Sequence, residues 1–364
     1  MKKWIGFLAL TVVVSITTDG SARRSHVTPE QRAELAKVQT LYLKVLALTE
    51  NGRVSPDELR TVVQARFEEI GYTVVTDRKK PHDVEFRVKC EERKRWAGTT
   101  RSGGDAELAD APARLWEGPA CLFSYRLKGK DLGWYKETRT NFNNADVAAE
   151  KAKAPDAGAY ALSQLKIKLE EFDFPLFVTT EWGQTGRLAT LLQSPNTPTP
   201  RKLKILSILS KVNSEEAFPL LVKMIKEGDY AEEAIVALAG TGKLSIPVLI
   251  DVFKNPKDSK AQAAAAKGLG LVAAHTGDPR TIPPLLDYLN EALKHMNTSE
   301  DIDFLVLTEV AWSLGKLRDE NSLKPIEELN TKIWVIHNTS PEMKELRDAT
   351  WVAVKSIDLD YQIM

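Results

Sequence analysis

Apolar residues in the second half of the chain recur at helical spacing, in stripes that predict amphipathic helices. Several of these segments carry a proline in the first turn, where the missing N–H costs no helical hydrogen bond. Their stripes are Phe218/Leu221/Val222/Ile225, Ile246/Leu249/Val252/Phe253, Ile282/Leu285/Leu286/Leu289 and Leu323/Ile326/Leu329/Ile333. Companion helices are predicted at 201–212, 230–240, 260–274, 302–317 and 343–357. Because a helix pair buries such stripes only by stacking on its neighbours, we predict an all-α repeat array over residues 181–358.

The first half of the chain opens with two predicted helices. Thr28-Pro-Glu-Gln31 has the form of a capping box, and apolar residues at helical spacing from Leu35 to Val45 extend this helix to about residue 48. Asn51-Gly52 breaks it. Ser55-Pro-Asp-Glu58 predicts a second capping box and a helix that ends at Gly71, where a left-handed residue is expected.

Strand-like runs follow at 72–76, 84–93, 121–127 and 134–140. In Val84-Glu-Phe-Arg-Val-Lys-Cys90 apolar and charged residues alternate, which is typical of a strand with one wet face. A connection from Ala97 to Gly118, rich in Gly, Ala, Asp and Arg, is long enough to be a mobile segment or a binding element. A final helix carries Leu165 and Leu169. The order predicts a small α+β domain over residues 28–174, with helices on one face of an antiparallel sheet.

The first 22 residues have the layout of a secretory signal peptide. Lys2 and Lys3 precede an apolar run from Trp4 to Ile16, and small residues follow at 20–22. The run is shorter than the roughly 20 residues that a membrane-spanning helix needs. The alternative is a short buried N-terminal helix. Export predicts a periplasmic or secreted protein, associated with the cell envelope and without a stable membrane span once the signal is cleaved.

Composition narrows the function classes. Hydrophobic residues make up 43% of the chain and charged residues 27%, which is ordinary for a globular protein. Fifty basic residues balance fifty acidic ones. Since a protein that binds nucleic acid through phosphates needs a basic excess, nucleic-acid binding is disfavoured.

The two cysteines, Cys90 and Cys121, lie in two of the predicted strands. In an oxidising compartment an even number of cysteines favours a disulfide. Two separate buried thiols are the alternative, because the strand register decides between them and the sequence does not give it.

Sequence motifs for catalysis were sought, and none is complete. Gly240-Thr-Gly-Lys243 lacks the first glycine and the final Ser/Thr of a phosphate-binding loop, and Gly268-Leu-Gly-Leu follows no strand, so it does not fit a dinucleotide fingerprint. No histidine pair has metal-ligand spacing, and no serine lies in a nucleophile elbow. We therefore predict no catalytic, cofactor-binding or metal-binding residues.

Aromatic residues of the first domain are the candidate binding surface. They are Trp96, Trp116, Trp134 and Tyr135. The alternative is that half of them pack in the sheet core and the rest border the long connection, because aromatic residues are normal in strands.

Two resemblances to known families add to this picture. Ala264-Ala-Ala-Lys-Gly-Leu-Gly-Leu with Gly277-Asp-Pro-Arg-Thr-Ile-Pro-Pro-Leu-Leu286 resembles the short HEAT repeat of the phycobilisome-lyase type, and Ala311-Trp-Ser-Leu-Gly echoes it. This resemblance implies an α-solenoid. Ile70-Gly-Tyr-Thr-Val-Val75 and Gly133-Trp134 resemble small α+β domains of bacterial periplasmic lipoproteins and secretion-associated proteins, which implies a binding or assembly module.

The expectation from the sequence is an exported, non-catalytic scaffold or assembly factor that binds envelope proteins through its solenoid surface. One alternative is an enzyme or a chromophore lyase or isomerase, because some relatives of this repeat type attach or isomerise bilins. That alternative requires a site between the two domains. A second alternative is a purely structural component of the cell envelope.

Overall fold

A computed structural model describes residues 27–98 and 114–358 of the chain. The predicted signal peptide and most of the predicted long connection therefore lie outside the described residues. Contacts divide the chain into two compact units, Met1–Asp173 and Phe174–Met364. The first is α+β and the second is all-helical.

Within its described residues, the first unit contains a six-stranded sheet and four helices. In chain order its elements are α1 (Pro29–Leu35), β1 (Thr40–Thr49), β2 (Gly52–Val54), α2 (Asp57–Glu68), β3 (Thr73–Val75), β4 (Val84–Gly98), β5 (Arg114–Leu127), β6 (Lys130–Arg139), α3 (Ala145–Ala152) and α4 (Ala157–Glu171). The strand order is β2-β1-β4-β5-β6, and β3 also pairs with β1. Because β1 runs parallel to both β3 and β4, the sheet is mixed, and the prediction of an antiparallel sheet was wrong.

Strand β1 occupies the stretch that was predicted to continue the first helix. Helix α1 ends at Leu35, and the side chains of Leu41, Leu43, Val45 and Ala47 alternate with less buried neighbours. Period-two burial of this kind identifies a strand with one face on the core. The Asp83 carboxylate starts the strand by accepting hydrogen bonds from the backbone N–H groups of Gln39 and Thr40, at 2.9 and 2.8 Å.

The predicted helix signals had different outcomes. The capping box of Thr28 and Gln31 is confirmed, since each side chain accepts from the backbone N–H of the other. The predicted capping box at Ser55 was wrong. Pro56 is the N-cap of α2, and the Ser55 hydroxyl donates instead to the Asp57 carboxylate at 2.6 Å. Gly71 has φ +86°, the left-handed conformation expected after the helix.

Helices α2 and α4 pack on one face of the sheet. The Phe67 ring of α2 meets the edge of Phe86 on β4, with ring centroids 4.7 Å apart, and Phe123 on β5 contacts Phe172 after α4 at 5.6 Å. Arg66 of α2 forms an ion pair with Asp173 at the end of this unit. The core of the first unit therefore lies between the two helices and this face.

The second unit is all-helical, and helices that follow one another in sequence pack together. Its helices are α5 (Phe174–Glu181), α6 (Thr185–Gln193), α7 (Thr199–Leu209), α8 (Phe218–Glu227), α9 (Ala231–Ala237), α10 (Ile246–Lys254), α11 (Ser259–Thr276), α12 (Ile282–His295), α13 (Phe304–Leu317), α14 (Leu323–Val335) and α15 (Pro341–Ile357). Pro219, Pro247 and Pro283 occupy the first turns of α8, α10 and α12, as predicted. The all-helical character of this half of the chain is confirmed.

Alternate helices in the chain pack on one another along the unit. Helices α7, α9, α11, α13 and α15 form one contact series, and α10, α12 and α14 form another. Small residues allow close approach in the first series: a Cβ atom on Gly270 would lie 2.3 Å from Ser313 Oγ, and one on Gly315 would lie 2.8 Å from Ala353 Cα. The Ser313 hydroxyl also donates to the Ala266 carbonyl at 2.9 Å, across α13 and α11.

One stretch, Ala231–Lys254, is long and apolar enough to cross a membrane, with mean hydropathy 1.7. It consists of α9, a 3-10 segment and α10, and the backbone breaks at Gly242 with φ +63° and ψ −141°. Half of its apolar window is buried inside the unit. A core element of a soluble domain passes the same test, so this stretch is weak support for a membrane span.

The turn before α12 supplies a test of pH dependence. The Asp278 carboxylate accepts two hydrogen bonds from the Arg280 guanidinium, at 2.9 and 2.8 Å, and these hold the pKa of Asp278 at about 2. A carboxyl whose pKa is depressed by folding stabilises the fold above its unfolded pKa, and that contribution is lost as the pH falls through 2. We expect Asp278→Asn to lower the urea midpoint at neutral pH, and the gap from the wild type to close between about pH 4 and pH 2. A gap of constant size over this range would contradict the assignment.

Candidate functional site

The best candidate site is a groove across the first contact series of the second unit. It has a volume of about 510 Å³ and is formed by α7, α9, α11 and α13. Leu206, Ala263 and Ala264 line it as buried residues, whereas Leu305 of α13 is 48% exposed. Clefts with a mostly apolar lining and a few polar groups are where proteins ordinarily bind their ligands.

Helix α11 contributes both short and long side chains to the groove. Ala263 and Ala264 are buried and add little bulk, whereas Leu271 and two lysines of the same helix also line the groove. Alanine has the highest helix propensity, so the run Ala263–Ala266 also favours the helix itself. Leu203 of α7 adds to the apolar lining.

Charged residues lie around the groove in balanced numbers. Three lysines and three glutamates line it: Lys211, Lys260, Lys267, Glu232, Glu233 and Glu309. Two ion pairs cross between helices, Lys267 Nζ to Glu309 Oε1 at 3.2 Å and Lys260 Nζ to Glu232 Oε1 at 3.9 Å. Surface pairs of this kind contribute little stability, but they give the border of the groove both signs of charge.

A further lysine, Lys316 of α13, lies near these charges. Partial loss of water contact lowers its pKa, Glu309 opposes this shift, and Lys267 adds to it. The direction is that expected for an ammonium group whose contact with water is reduced.

The stretch that resembled a phosphate-binding loop has a packing role. Gly240 is buried, and its carbonyl accepts a hydrogen bond from the Ser214 N–H at 2.8 Å. A Cβ atom there would lie 1.7 Å from the Leu209 carbonyl oxygen, so this glycine marks a close backbone approach rather than an open cradle. A surface depression of about 580 Å³ lies alongside and includes Lys243 and His275.

Two of the aromatic residues proposed as a binding surface, Trp134 and Tyr135, lie on opposite faces of the sheet. Trp134 contacts Tyr125 and Phe86 on the core side of the sheet, with ring centroids 5.5 and 6.4 Å apart. Its neighbour Tyr135 pairs with Ser124, on the opposite face, and is 54% exposed. Loss of water contact and the nearby Asp131 raise the pKa of Tyr135.

Trp96 and Trp116 are register partners in the pairing of β4 with β5. They lie in the part of these strands beyond the last residues that pair with β1 and β6, Glu91 and Ala120. The side chains of both tryptophans lie outside the described part of the chain.

Cys90 and Cys121 are joined by a disulfide. They are directly opposite each other on β4 and β5, and both are fully buried. Of the two alternatives that the sequence left open, the structure has the bridge.

Metal ligands were also sought in the structure. Within residues 27–98 and 114–358, no three His, Cys, Asp or Glu side chains are grouped so that they could hold a metal ion. The groove residues themselves were not predicted from the sequence. Leu305 and Glu309 fall in a predicted helix, but helical spacing alone does not say which residues outside the buried stripe face a groove.

The chain matches no known family model, and no curated protein is significantly similar to it. The resemblance to HEAT repeats therefore stays a prediction from the residue pattern.

Proposed function

We propose that the second unit is a HEAT-type α-solenoid and that the protein is an exported, non-catalytic scaffold that binds a partner protein in the groove of α7, α9, α11 and α13. The two contact series support the solenoid, because stacked helix pairs produce one inner and one outer layer. The unequal helix lengths, 18 residues in α11 and 7 in α9, depart from a uniform repeat and predict uneven curvature.

The single observation that carries the binding proposal is the groove. It spans the four helices α7, α9, α11 and α13 of one contact series and combines a buried apolar lining with an exposed leucine, Leu305. Lysines and glutamates surround it. An apolar centre within a polar border is the usual anatomy of a protein interface.

The disulfide supports the proposed compartment. Disulfides persist in oxidising compartments and are rare in the reducing cytosol. The bridge between Cys90 and Cys121 therefore favours a periplasmic or secreted protein, in agreement with the signal-like first 22 residues.

Site-specific photocrosslinking in the native host tests the proposal. A photoreactive amino acid in place of Ser207, which is exposed in the groove, is expected to form one reproducible adduct with another protein. Adding Leu305→Asp places a charge on the apolar lining and is expected to lower the adduct yield at least about tenfold, as loss of an interface anchor does.

The matched control is Leu244→Asp, because Leu244 is similarly exposed, at 53%, but does not line the groove. It is expected to leave the yield unchanged. An adduct that survives Leu305→Asp, or equal loss with both variants, would refute binding in the groove.

A further inference from the structure

The last helix pair, α14 and α15, presents a surface made of two parallel stripes. On α14 the stripe is Glu327, Thr331 and Trp334, at i, i+4 and i+7, and on α15 it is Arg347, Trp351 and Lys355, at i, i+4 and i+8. We call these six residues the terminal surface. A groove of about 360 Å³ runs between the stripes and is lined by Glu327, Thr331 and Trp351.

This surface exposes two large aromatic side chains among charged residues. Trp334 is 64% exposed and Trp351 is 50% exposed. Large aromatic residues exposed together on one surface indicate an interface.

Each tryptophan holds a cation over its ring. The Arg347 guanidinium lies 4.8 Å from the Trp334 centroid and also donates hydrogen bonds to the Ile333 and Ile336 carbonyls at the end of α14. The Lys355 ammonium lies 3.6 Å from the Trp351 centroid. These contacts hold both indole rings in place. Binding of a partner to the two tryptophans therefore costs less side-chain entropy than binding to freely rotating rings would.

Two hydrogen bonds show that the helices are antiparallel and which of their residues lie side by side. Thr350 donates to Asn330 at 3.2 Å, and Arg347 donates to the Ile333 carbonyl. Residue numbers therefore rise along α14 in the direction in which they fall along α15. Glu327 and Lys355 therefore lie at one end of the terminal surface, and Trp334 and Arg347 lie at the other.

From this arrangement we infer that the terminal surface binds a second copy of this chain, in a two-fold dimer whose axis runs parallel to α14 and α15. About such an axis α14 of one copy covers α15 of the other at the same level. Glu327 of each copy then faces Lys355 of the other copy, so the dimer contains this pair two times. Trp351 of each copy lies against the groove between α14 and α15 of the other copy.

The charges distinguish this axis from the alternative. A two-fold axis perpendicular to the helices would place the Lys355 end of one α15 against the Arg347 end of the other, with like charges opposed. Like charges at an interface disfavour that pairing, so the parallel axis is the one that the surface supports. This inference does not depend on the groove of α7 to α13.

Charge reversal with rescue tests the dimer. The oxidised full chain is measured by sedimentation velocity and native mass spectrometry, at concentrations up to about 100 µM. The wild type is expected to dimerise. Glu327→Lys alone and Lys355→Glu alone each place like charges opposite one another and are expected to raise the dimer Kd at least about tenfold. The double variant restores unlike pairs and is expected to return to within about threefold of the wild type.

Two further variants complete the design. Trp351→Ala is expected to abolish dimerisation, with an unchanged circular dichroism spectrum showing that the chain is folded, and Leu305→Asp in the groove is expected to leave it unchanged. A wild type that is monomeric up to the highest concentration, or a double variant as weak as the single ones, would overturn the inference. A wild type that stays monomeric but binds lipid vesicles through Trp351 would also overturn it, in favour of a membrane contact.

Discussion

Replacing Gly240 with alanine is expected to destabilise the helical unit by at least about 3 kcal/mol. The added Cβ would lie 1.7 Å from the Leu209 carbonyl oxygen and 2.6 Å from that of Val212, and both are backbone atoms that cannot move without disturbing the end of α7. The Ser214 N–H that donates to Gly240 would be displaced as well. Thermal unfolding followed by circular dichroism is expected to show a Tm lower by roughly 6–12 °C.

Gly186→Ala is the matched control for this prediction. Its Cβ would also meet a close neighbour, Glu216 Oε2 at 2.5 Å, but that atom is the end of an exposed, flexible side chain and can rotate away. Gly186 lies in α6, where alanine is the better helix former. We expect a change in unfolding free energy within about 0.5 kcal/mol, of either sign. If Gly240→Ala were as mild as this control, the close backbone approach would not exist in solution.

The helices of the second unit could be predicted because their signals are local. Proline in the first turn and an apolar stripe of period 3.6 gave the starts of α8, α10 and α12 and part of their buried faces. In α8 only Leu221 of the predicted stripe is fully buried, and Met224, which lay outside the stripe, is buried too. Strand β1 shows where such signals are ambiguous. Leu41 and Val45 fit a helical stripe, but they also fit the alternation of Leu41, Leu43, Val45 and Ala47, and pairing with β3 and β4 selected the strand.

The hairpin between β1 and β2 was missed for the same reason. Asn51-Gly52 fits the end of a helix, but Asn-Gly after an alternating run is also a hairpin signal. In the structure Thr49 pairs with Gly52, so the chain reverses directly after β1. The parallel pairing of β1 with β4 could not be predicted, because it joins residues about 40 positions apart that share no local pattern.

The candidate groove was out of reach of the sequence for a different physical reason. Whether Leu305 faces solvent or a neighbouring helix depends on the angle and distance between α11 and α13. That distance is set by contacts of Gly270 and Ser313, which helical periodicity does not reveal. The disulfide was equally undetermined, because it required Cys90 and Cys121 to be register partners.

Removing the disulfide is expected to be the most damaging change in the first unit. In the double variant Cys90→Ala/Cys121→Ala the bridge no longer closes a loop with a sequence separation of 31, and the unfolded chain gains the corresponding freedom. Chain-entropy reasoning puts the loss of stability at about 3.5 kcal/mol. The fully buried positions of both sulfurs add a packing loss, because alanine fills less space on β4 and β5.

Reductant provides the control for this experiment, because it acts on the bridge and not on the packing. Urea unfolding is followed by a probe in each unit, since two units need not unfold together. Reductant is expected to lower the midpoint of the wild-type first unit and to leave the double variant unchanged. The midpoint of the helical unit should move in neither case. Equal midpoints for the oxidised wild type and the double variant would show that the bridge does not restrict the unfolded chain, and that β4 and β5 are held together by their ladder and the aromatic core alone.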